Sequence, residues 1–500
     1  MSGHTPAIYA LPSGVHQQSG VRLRASLLLP SFGVVVFAVS LVQVLFLSSG
    51  TQGLFRDSDT GWHVRNGEII LQTFELPRTD RFSYTGEGRP WFAWEWLSDA
   101  VFAAAYRISG LAGVAFTAAV VISIVAWGAA CLSLALGADL FFTSGAVVVL
   151  LGTTSIHWLA RPHVFSWVFA LAFLAVAEQE RRSRGRWLYV LPALACLWAN
   201  MHGSFLLGPV MLFIYAAAGA RFVTAGVFSL LATLINPYGW RLHRHVLTYL
   251  QDSYLMDHIS EFRSFSFHSP GARYVELFLL IAAVGILTLL RRRAYAPAVL
   301  GLAMLHIALY SARHMATAAV LVMPVAAAAL SREARKLRAL RPLMDYADRI
   351  RAIDRRITGA VPLALVLIAT AAGVRALERS GGVEFNPKLF PVQAADFLER
   401  NDVSGRLFSK DQWGGYLIFR FQGRRKVFID GRSDFYGREM LETYATVADV
   451  KPGWDVVLRQ YDVRLVLIPP DHALASVLEL SPDWKRIYSD TVAAVFERTV

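Results

Sequence analysis

The feature that most constrains this chain is a series of eleven apolar runs between residues 28 and 377. A helix needs roughly 20 apolar residues to cross a bilayer, and several of these runs are slightly shorter. Hydrophobic residues make up 55% of the chain and charged residues 17%, with a mean hydropathy of +0.42. This composition is typical of a polytopic membrane protein with a soluble part attached. We predict α-helical spans near 28–48, 111–136, 140–156, 163–179, 187–200, 204–220, 222–236, 274–290, 296–310, 315–330 and 359–377.

The basic residues predict the orientation of these spans. Cytoplasmic loops of membrane proteins are enriched in Lys and Arg, so the net charge of +12 indicates a topology and no nucleic-acid partner. We predict that residues 1–25 form a cytoplasmic N-terminal tail before an uncleaved first span. Segment 96–109 is then a short helix that returns to the outer face or lies along it. With eleven spans, the basic segments all face the cytoplasm: 181–186, Arg221, 291–293 and 332–356.

The same topology places the polar motifs between the spans on the outer face. Polar groups at membrane depth are costly and usually mark a functional cavity. We therefore expect a site on the outer face of a membrane domain at 26–380, which has a large first outer loop at 49–95. The motifs are "DSDTGWH", "WFAWEW", "HWLARPH", "ANMHGSF", "INPYGW" and "SARHM".

Residues 381–500 have a different pattern and predict a small extracytoplasmic α/β domain. Amphipathic helices are indicated by "PVQAADFLERN", "REMLETYATVADV" and "GWDVVLRQY". Short strands are indicated by "GRLFS", "GYLIFRF", "KVFIDG" and "VRLVLIP".

Two aspartates directly follow the first span. Asp57 and Asp59 can act as a general base on an acceptor hydroxyl or amine, or as ligands of a divalent cation such as Mg²⁺ or Mn²⁺. The alternative is structural, with Asp59 or Thr60 capping a short helix at 61–71. Asp80 lies in a turn-rich hairpin pattern and is predicted to be structural.

Further polar side chains follow other spans and predict a site for a phosphate and a sugar. Arg offers a bidentate fork for phosphate oxygens, and His offers a titratable donor. Taken singly, each of these groups is better explained as an interfacial anchor or a satisfied histidine, and only their convergence on one face predicts the phosphate site. The loop 241–270 is rich in aromatic, His and acidic residues and is predicted to be a lid. The candidate substrate-binding residues here are His63, Glu95, Arg161, His163, Asn200, His202, Arg313 and His314.

The long first outer loop, its "DSD" motif and the "LARPH" element together resemble the GT-C class of integral-membrane glycosyltransferases. That class includes protein mannosyltransferases, aminoarabinose transferases and oligosaccharyltransferases. The resemblance implies an inverting hexosyl- or pentosyltransferase that uses a polyprenyl-phosphate-linked sugar on the extracytoplasmic face, with a protein, lipid or polysaccharide acceptor. It also implies that Asp57 activates the acceptor, that Asp59 assists it or binds metal, and that Arg161 and Arg313 clamp the lipid phosphate. A bacterial inner membrane is the expected location, with the C-terminal domain in the periplasm.

The segment 409–437 is similar to the Trp–Asp–Tyr–Gly region of oligosaccharyltransferases, but it lacks the second Trp and the central Asp. The resemblance makes Trp413, Tyr416, Asp430 and Arg432 candidates for glycan binding or for docking onto the membrane cavity. The alternative for "WGGY" is a tight turn in which the glycines adopt unusual backbone angles.

Three other functions remain open on the sequence. En bloc oligosaccharide transfer is less favoured than single-sugar transfer because "WGGY" departs from the oligosaccharyltransferase pattern. A transporter should carry internal repeats and polar features on both faces. A non-catalytic membrane protein that binds glycan or lipid has the same features as the enzyme and differs only in turnover.

Overall fold

The computed structural model describes residues 26–499, and its helices follow all eleven apolar runs. The predicted cytoplasmic tail therefore lies outside the described residues. In chain order, the helices of this part are α1 Phe32–Phe46, α2 Gly50–Leu54, α3 Asp59–Thr73, α4 Trp96–Ala135, α5 Leu140–Thr154, α6 His163–Arg182, α7 Leu191–Met201, α8 Leu207–Ile214, α9 Ala220–Ala232, α10 Trp240–Gln251, α11 Ser253–His258, α12 Ala272–Arg291, α13 Tyr295–Tyr310, α14 Met315–Ala334, α15 Arg341–Asp354 and α16 Ala360–Arg379.

Six helices of the described part are long and apolar enough to cross a membrane: Ser26–Phe46, Trp96–Ala135, Leu140–His157, Ala272–Arg291, Ala312–Ala334 and Ala360–Arg379. Shorter apolar helices cover Trp187–Met201, Gly203–Ala218, Ala220–Ala232 and Tyr295–Tyr310. These helices agree with the predicted polytopic helical membrane fold, whereas the number of eleven spans stays a prediction.

Helix α4 is broken near its start, as the separate short helix predicted at 96–109 requires. Ser109 and Gly110 leave helical geometry, and Gly110 has φ 49° and ψ −148°. The positive φ favours glycine at this position, and a Cβ there would lie 2.2 Å from a carboxylate oxygen of Glu378 and displace that side chain. That carboxylate accepts from the amide of Ala112 at 3.3 Å, which caps the second part of the helix.

The C-terminal part holds a four-stranded sheet with the strand order β1-β2-β4-β3. Strands β1 and β2 are parallel, and β4 runs antiparallel to both β2 and β3. The helices and strands of this part are α17 Val392–Arg400, β1 Arg406–Ser409, α18 Gly414–Arg420, α19 Ser433–Ala448, α20 Trp454–Gln460, β2 Val463–Ile468, α21 Ala473–Leu480, β3 Trp484–Ser489 and β4 Ala494–Arg498.

Two of the four strands predicted by name in this part are wrong. "GYLIFRF" forms helix α18, because a short apolar run has no periodicity that separates a strand from a buried helix. "KVFIDG" is not a regular strand, and within it Val427 makes isolated bridges to Ser83 and Leu407.

The first loop and the C-terminal part pack against each other. The hairpin predicted around Asp80 is present, with Thr79 bridged to Pro90. From this hairpin the Tyr84 hydroxyl donates to the carbonyl of Leu407 at 3.1 Å. Because buried residues of the helices, the hairpin and the sheet form one continuous apolar core, the C-terminal part is held over the first loop.

Candidate functional site

The start of helix α3 positions both aspartates of the "DSD" motif. Asp57 accepts a hydrogen bond from the amide of Asp59 at 2.9 Å, so its carboxylate satisfies a free N–H at the helix start. The structural alternative named Asp59 or Thr60 for this role, and the structure assigns it to Asp57. The Thr60 hydroxyl instead donates to the carbonyl of Ala160 at 3.1 Å, which ties the helix to the segment that carries Arg161.

Arg161 joins the two aspartates. Its guanidinium lies 2.8 Å from Asp57 Oδ2 and 2.9 Å from Asp59 Oδ2, each through a separate nitrogen. A third carboxylate, Glu261, lies 3.9 Å away. The sequence segment "ARP" therefore delivers a cation to the acids of the first loop, and its guanidinium bridges two carboxylates with one nitrogen on each.

Glu261 is a site residue that the sequence analysis missed. It lies in a short 3-10 helix, Ser260–Phe262, inside the loop predicted to be a lid. Its carboxylate accepts from Arg313 at 2.7 Å and lies 3.7 Å from His157 Nε2. The loop contains several acids at similar spacing, so no sequence signal singled this one out.

Burial and neighbouring charges shift the pKa values of Asp59 and Glu261 in opposite directions. Burial raises the pKa of Asp59 to about 7, against the lowering effect of Arg161 and with a further rise from Asp57. Burial would also raise the pKa of Glu261, but Arg313 and the other basic neighbours hold that pKa well below its usual range. Asp59 is therefore a carboxyl that titrates near neutral pH, whereas Glu261 stays negatively charged there.

A second buried cluster lies beside the first. His63 Nδ1 lies 2.6 Å from Asp99 Oδ1, and Asn66 donates to the other oxygen of that carboxylate at 2.6 Å. Glu95 lies between two imidazoles, 3.8 Å from His63 Nε2 and 3.4 Å from His202 Nε2. Burial, with the charge of Asp99, raises the pKa of Glu95 to about 8, so Glu95 is a neutral acid at pH 7.

Two cavities meet at the Asp59–Arg161 pair. One, which we call the tryptophan cavity, has a volume of about 150 Å³ and lies between Trp62, Trp94 and Glu95. The other, the large cavity, has a volume of about 660 Å³ and opens between the first loop and the C-terminal part. Both are lined by Asp59, Arg161, Glu261, Gly431 and Ser433, whereas Asp57 lines only the large one.

Arg432 holds the C-terminal part onto this site. It forms a bidentate pair with Asp430 at 2.7 and 2.8 Å and a second pair with Asp80 at 2.8 Å. All three side chains are buried, and the Asp80 carboxylate also accepts from the amides of Phe82 and Ser83. The structural role predicted for Asp80 is confirmed, and its partner is a residue more than 350 positions away in the sequence.

Several predicted substrate-binding residues lie elsewhere. Trp413 is buried and donates to the carbonyl of Leu389 at 2.9 Å, and Tyr416 packs against Phe385 and Phe390. Asn200 accepts from the indole of Trp96 at 3.0 Å and uses its amide group on two backbone carbonyls. None of these three lines a cavity at the Asp59–Arg161 pair.

His163 and His314 lie beside Arg161. His163 Nε2 lies 2.9 Å from the carbonyl oxygen of His157. Both line a small space of about 50 Å³ next to Arg161, and His314 also lines the tryptophan cavity.

The "WGGY" glycines have a different explanation from the predicted tight turn. Gly414 and Gly415 begin helix α18 with ordinary helical geometry. A Cβ at Gly415 would lie 2.4 Å from the carbonyl oxygen of Ser58, and one at Gly414 would lie 2.5 Å from that of Ile429. The glycines therefore permit close approach of α18 to the start of α3, next to the aspartates.

The predicted divalent cation would have to bind where a guanidinium now lies. Asp57 and Asp59 each direct an oxygen at the Arg161 guanidinium, which occupies the position between them. Among residues 26–499, no group of three His, Cys, Asp or Glu side chains has the arrangement of a metal site.

No protein-family model and no curated protein sequence matches the chain. Solved structures do share its fold. The crystal structure of the Archaeoglobus fulgidus oligosaccharyltransferase in the apo form matches with a TM-score of 0.56 and 14% identity, over 87% of this chain and 69% of that one. AglB from the same organism, in complex with an inhibitory peptide and a dolichol-phosphate, matches with a TM-score of 0.55 and 12% identity, over 90% and 70%.

ArnT from Cupriavidus metallidurans, bound to undecaprenyl phosphate, aligns over 97% of this chain and 98% of its own, with 13% identity and a TM-score of 0.48. The fold comparison rests on the two archaeal structures, whose TM-scores are higher. At these identities the similarity concerns the fold alone. The chain has the fold of the GT-C membrane glycosyltransferases, as the resemblance predicted.

Proposed function

We propose that this protein is a membrane glycosyltransferase that moves a sugar from a polyprenyl-phosphate donor to an acceptor outside the cytoplasm. The observation that carries the proposal is the Asp57–Arg161–Asp59 arrangement between two cavities, in which Asp59 is buried. A carboxylate of near-neutral pKa can take a proton from the acceptor. The fixed cation beside it can face the phosphate of the donor. The archaeal neighbour with this fold was solved with a dolichol-phosphate and a peptide, which supports a lipid-phosphate donor.

Asp59 is the better placed of the two aspartates for proton removal. It lines both cavities, whereas Asp57 lines one and uses an oxygen on the helix start. In the proposed reaction, Asp59 takes the proton of the acceptor hydroxyl or amine as that atom attacks the anomeric carbon. The bond from that carbon to the phosphate oxygen breaks on the opposite face, so the configuration inverts.

The leaving group is the polyprenyl phosphate, and two arginines are placed to stabilise it. Arg313 lies at the end of a membrane helix and is held by Glu261 at 2.7 Å. Arg161 is held by three carboxylates and does not need to reorganise as charge develops. Apolar grooves between the spans hold the lipid tail, while the phosphate lies at the level of the arginines.

The topology belongs to the same proposal. The tail 1–25 lies in the cytoplasm, and residues 381–500 form an α/β domain on the outer side of a bacterial inner membrane. The large cavity opens beneath that domain, so we assign it to the acceptor, which is a protein, a lipid or a polysaccharide.

The test is release of polyprenyl phosphate by purified protein in liposomes, given a panel of polyprenyl-phosphate hexoses and pentoses with candidate acceptors. We expect at least one donor to be consumed, and Arg161→Gln to lose the activity while Arg335→Gln retains it. Arg335 also pairs with a carboxylate, that of Asp348, but it lines none of the cavities at the site. Binding of a donor without any release would point to the non-catalytic alternative.

A further inference from the structure

The tryptophan cavity has walls suited to a sugar ring. Trp62, Trp91 and Trp94 line it, together with Tyr249 and Phe262. Trp62 and Trp91 are buried and meet edge to face, with ring centroids 6.0 Å apart. Trp94 is half-buried and stands against Gly203, where a Cβ would lie 3.1 Å from the indole. Flat aromatic faces next to polar groups bind the apolar face of a pyranose or furanose ring.

Three buried nitrogens around this cavity have no hydrogen-bond partner among the described residues. They are Trp62 Nε1, Arg432 Nη1 and His314 Nδ1, and all three side chains line the cavity. A buried polar group without a partner costs free energy unless a ligand or water satisfies it. Indole and guanidinium nitrogens only donate, so the complementary ligand is rich in oxygen acceptors.

Glu95 adds a group of the opposite kind. As the neutral acid between His63 and His202, it can donate to one ligand hydroxyl and accept from another. Because Glu95 also lines the cavity, its carboxyl can hydrogen-bond to particular hydroxyl groups of the ring without placing a negative charge beside them.

The volume of the tryptophan cavity suits one ring. The cavity measures about 150 Å³, and a buried cavity of roughly that size accommodates a single six-membered ring such as benzene. The large cavity is more than four times bigger, yet it lacks the three tryptophans.

We propose that the tryptophan cavity binds the single sugar of the donor, with the ring against Trp94, oxygens at Trp62 and Arg432, and Glu95 selecting among hydroxyl patterns. This inference rests on the proposed function and deepens it, since it assigns a monosaccharide donor in place of a lipid-linked oligosaccharide. The anomeric carbon then lies at the Asp59–Arg161 end of the cavity, where the large cavity begins.

The test measures binding without the lipid. Saturation-transfer NMR on the detergent-solubilised full chain gives dissociation constants for a panel of hexose and pentose 1-phosphates, with inorganic phosphate for comparison. We expect at least one sugar 1-phosphate to bind more tightly than phosphate. Trp94→Leu should weaken that sugar 1-phosphate about tenfold, the loss expected for one aromatic stacking contact, and leave phosphate unchanged. The matched control is Trp187→Leu, because Trp187 is 61% exposed and outside the cavity.

Glu95→Gln tests the selecting role. It should change the order of affinities within the panel, since the amide donates and accepts at fixed atoms where the neutral acid can exchange these roles. A merely structural Glu95 would lower all the affinities by the same factor.

Two results would overturn the assignment of the cavity. One is that no sugar 1-phosphate binds more tightly than inorganic phosphate. The other is that Trp94→Leu weakens sugar 1-phosphates and phosphate equally. Donor turnover is measured separately, so Trp94-dependent sugar binding without release of polyprenyl phosphate would leave the pocket standing and remove the transferase proposal.

Discussion

Gly431→Ala is predicted to disable the site without removing any functional group. The added Cβ would lie 2.0 Å from Asp59 Oδ1, where ordinary contacts measure 3.4–4 Å. Gly431 does not have a positive φ, so alanine brings no backbone strain of its own. The Asp59 carboxylate must therefore move by more than about 1 Å, and a displacement of that size at a reacting group can cost about 10²-fold in rate.

The assay is release of polyprenyl phosphate at saturating donor, together with thermal unfolding in detergent. We expect kcat to fall about 10²-fold and the free energy of unfolding to fall by about 1–3 kcal/mol from overpacking. Gly145→Ala is the control, because a Cβ at that helical position meets nothing within 4 Å.

A double-mutant cycle separates this steric cause from a general defect. In an Asp59→Ala background the clashing carboxylate is gone, so Gly431→Ala should no longer destabilise the protein. Wild-type turnover in Gly431→Ala, or an equal loss of stability in both backgrounds, would refute the reasoning.

Three further predictions concern stability, pH and metal. Arg432→Met leaves the carboxylates of Asp430 and Asp80 buried and unpaired, and should lower the free energy of unfolding by about 3–5 kcal/mol in thermal melts; an unchanged melting temperature would contradict the buried pairing. The pKa of Glu95 is 4.5 when unfolded and about 8 when folded, so its stabilising contribution is present below pH 4.5 and is lost as the pH rises through 8. Glu95→Gln should therefore flatten the fall in melting temperature between pH 5 and pH 8, and an unaltered slope would count against the raised pKa. Because Arg161 already pairs with Asp57 and Asp59, turnover should persist in excess EDTA, and a loss restored by Mg²⁺ or Mn²⁺ would show that a cation displaces the guanidinium.

The sequence predicted the helices and the hairpin, which depend on residues close together in the chain. The length of the apolar runs predicts the helices, and the turn-forming residues around Asp80 predict the hairpin. Both lie where they were expected. The break after residue 108 was also predicted, because the distribution of basic residues left no room for another crossing.

The parts that failed depend on contacts distant in the sequence. The segment of α18 forms a helix, and its two glycines let that helix lie against the start of α3, a contact distant in the sequence. Glu261 becomes a site residue only because its loop folds back onto Arg161 and Arg313. Trp413 and Tyr416 resemble binding residues by composition, but they complete an apolar core that the sequence alone does not delimit.

The central claim is that Asp59, and not Asp57, removes the acceptor proton. The most direct measurement compares single-turnover rates of Asp59→Asn and Asp57→Asn with a consumed donor, after donor binding has been checked in both variants. We expect Asp59→Asn to lose about 10³-fold or more, as removal of a general base does, with a smaller loss in Asp57→Asn. An Asp59→Asn variant that folds, binds donor and turns it over at the wild-type rate would contradict the account.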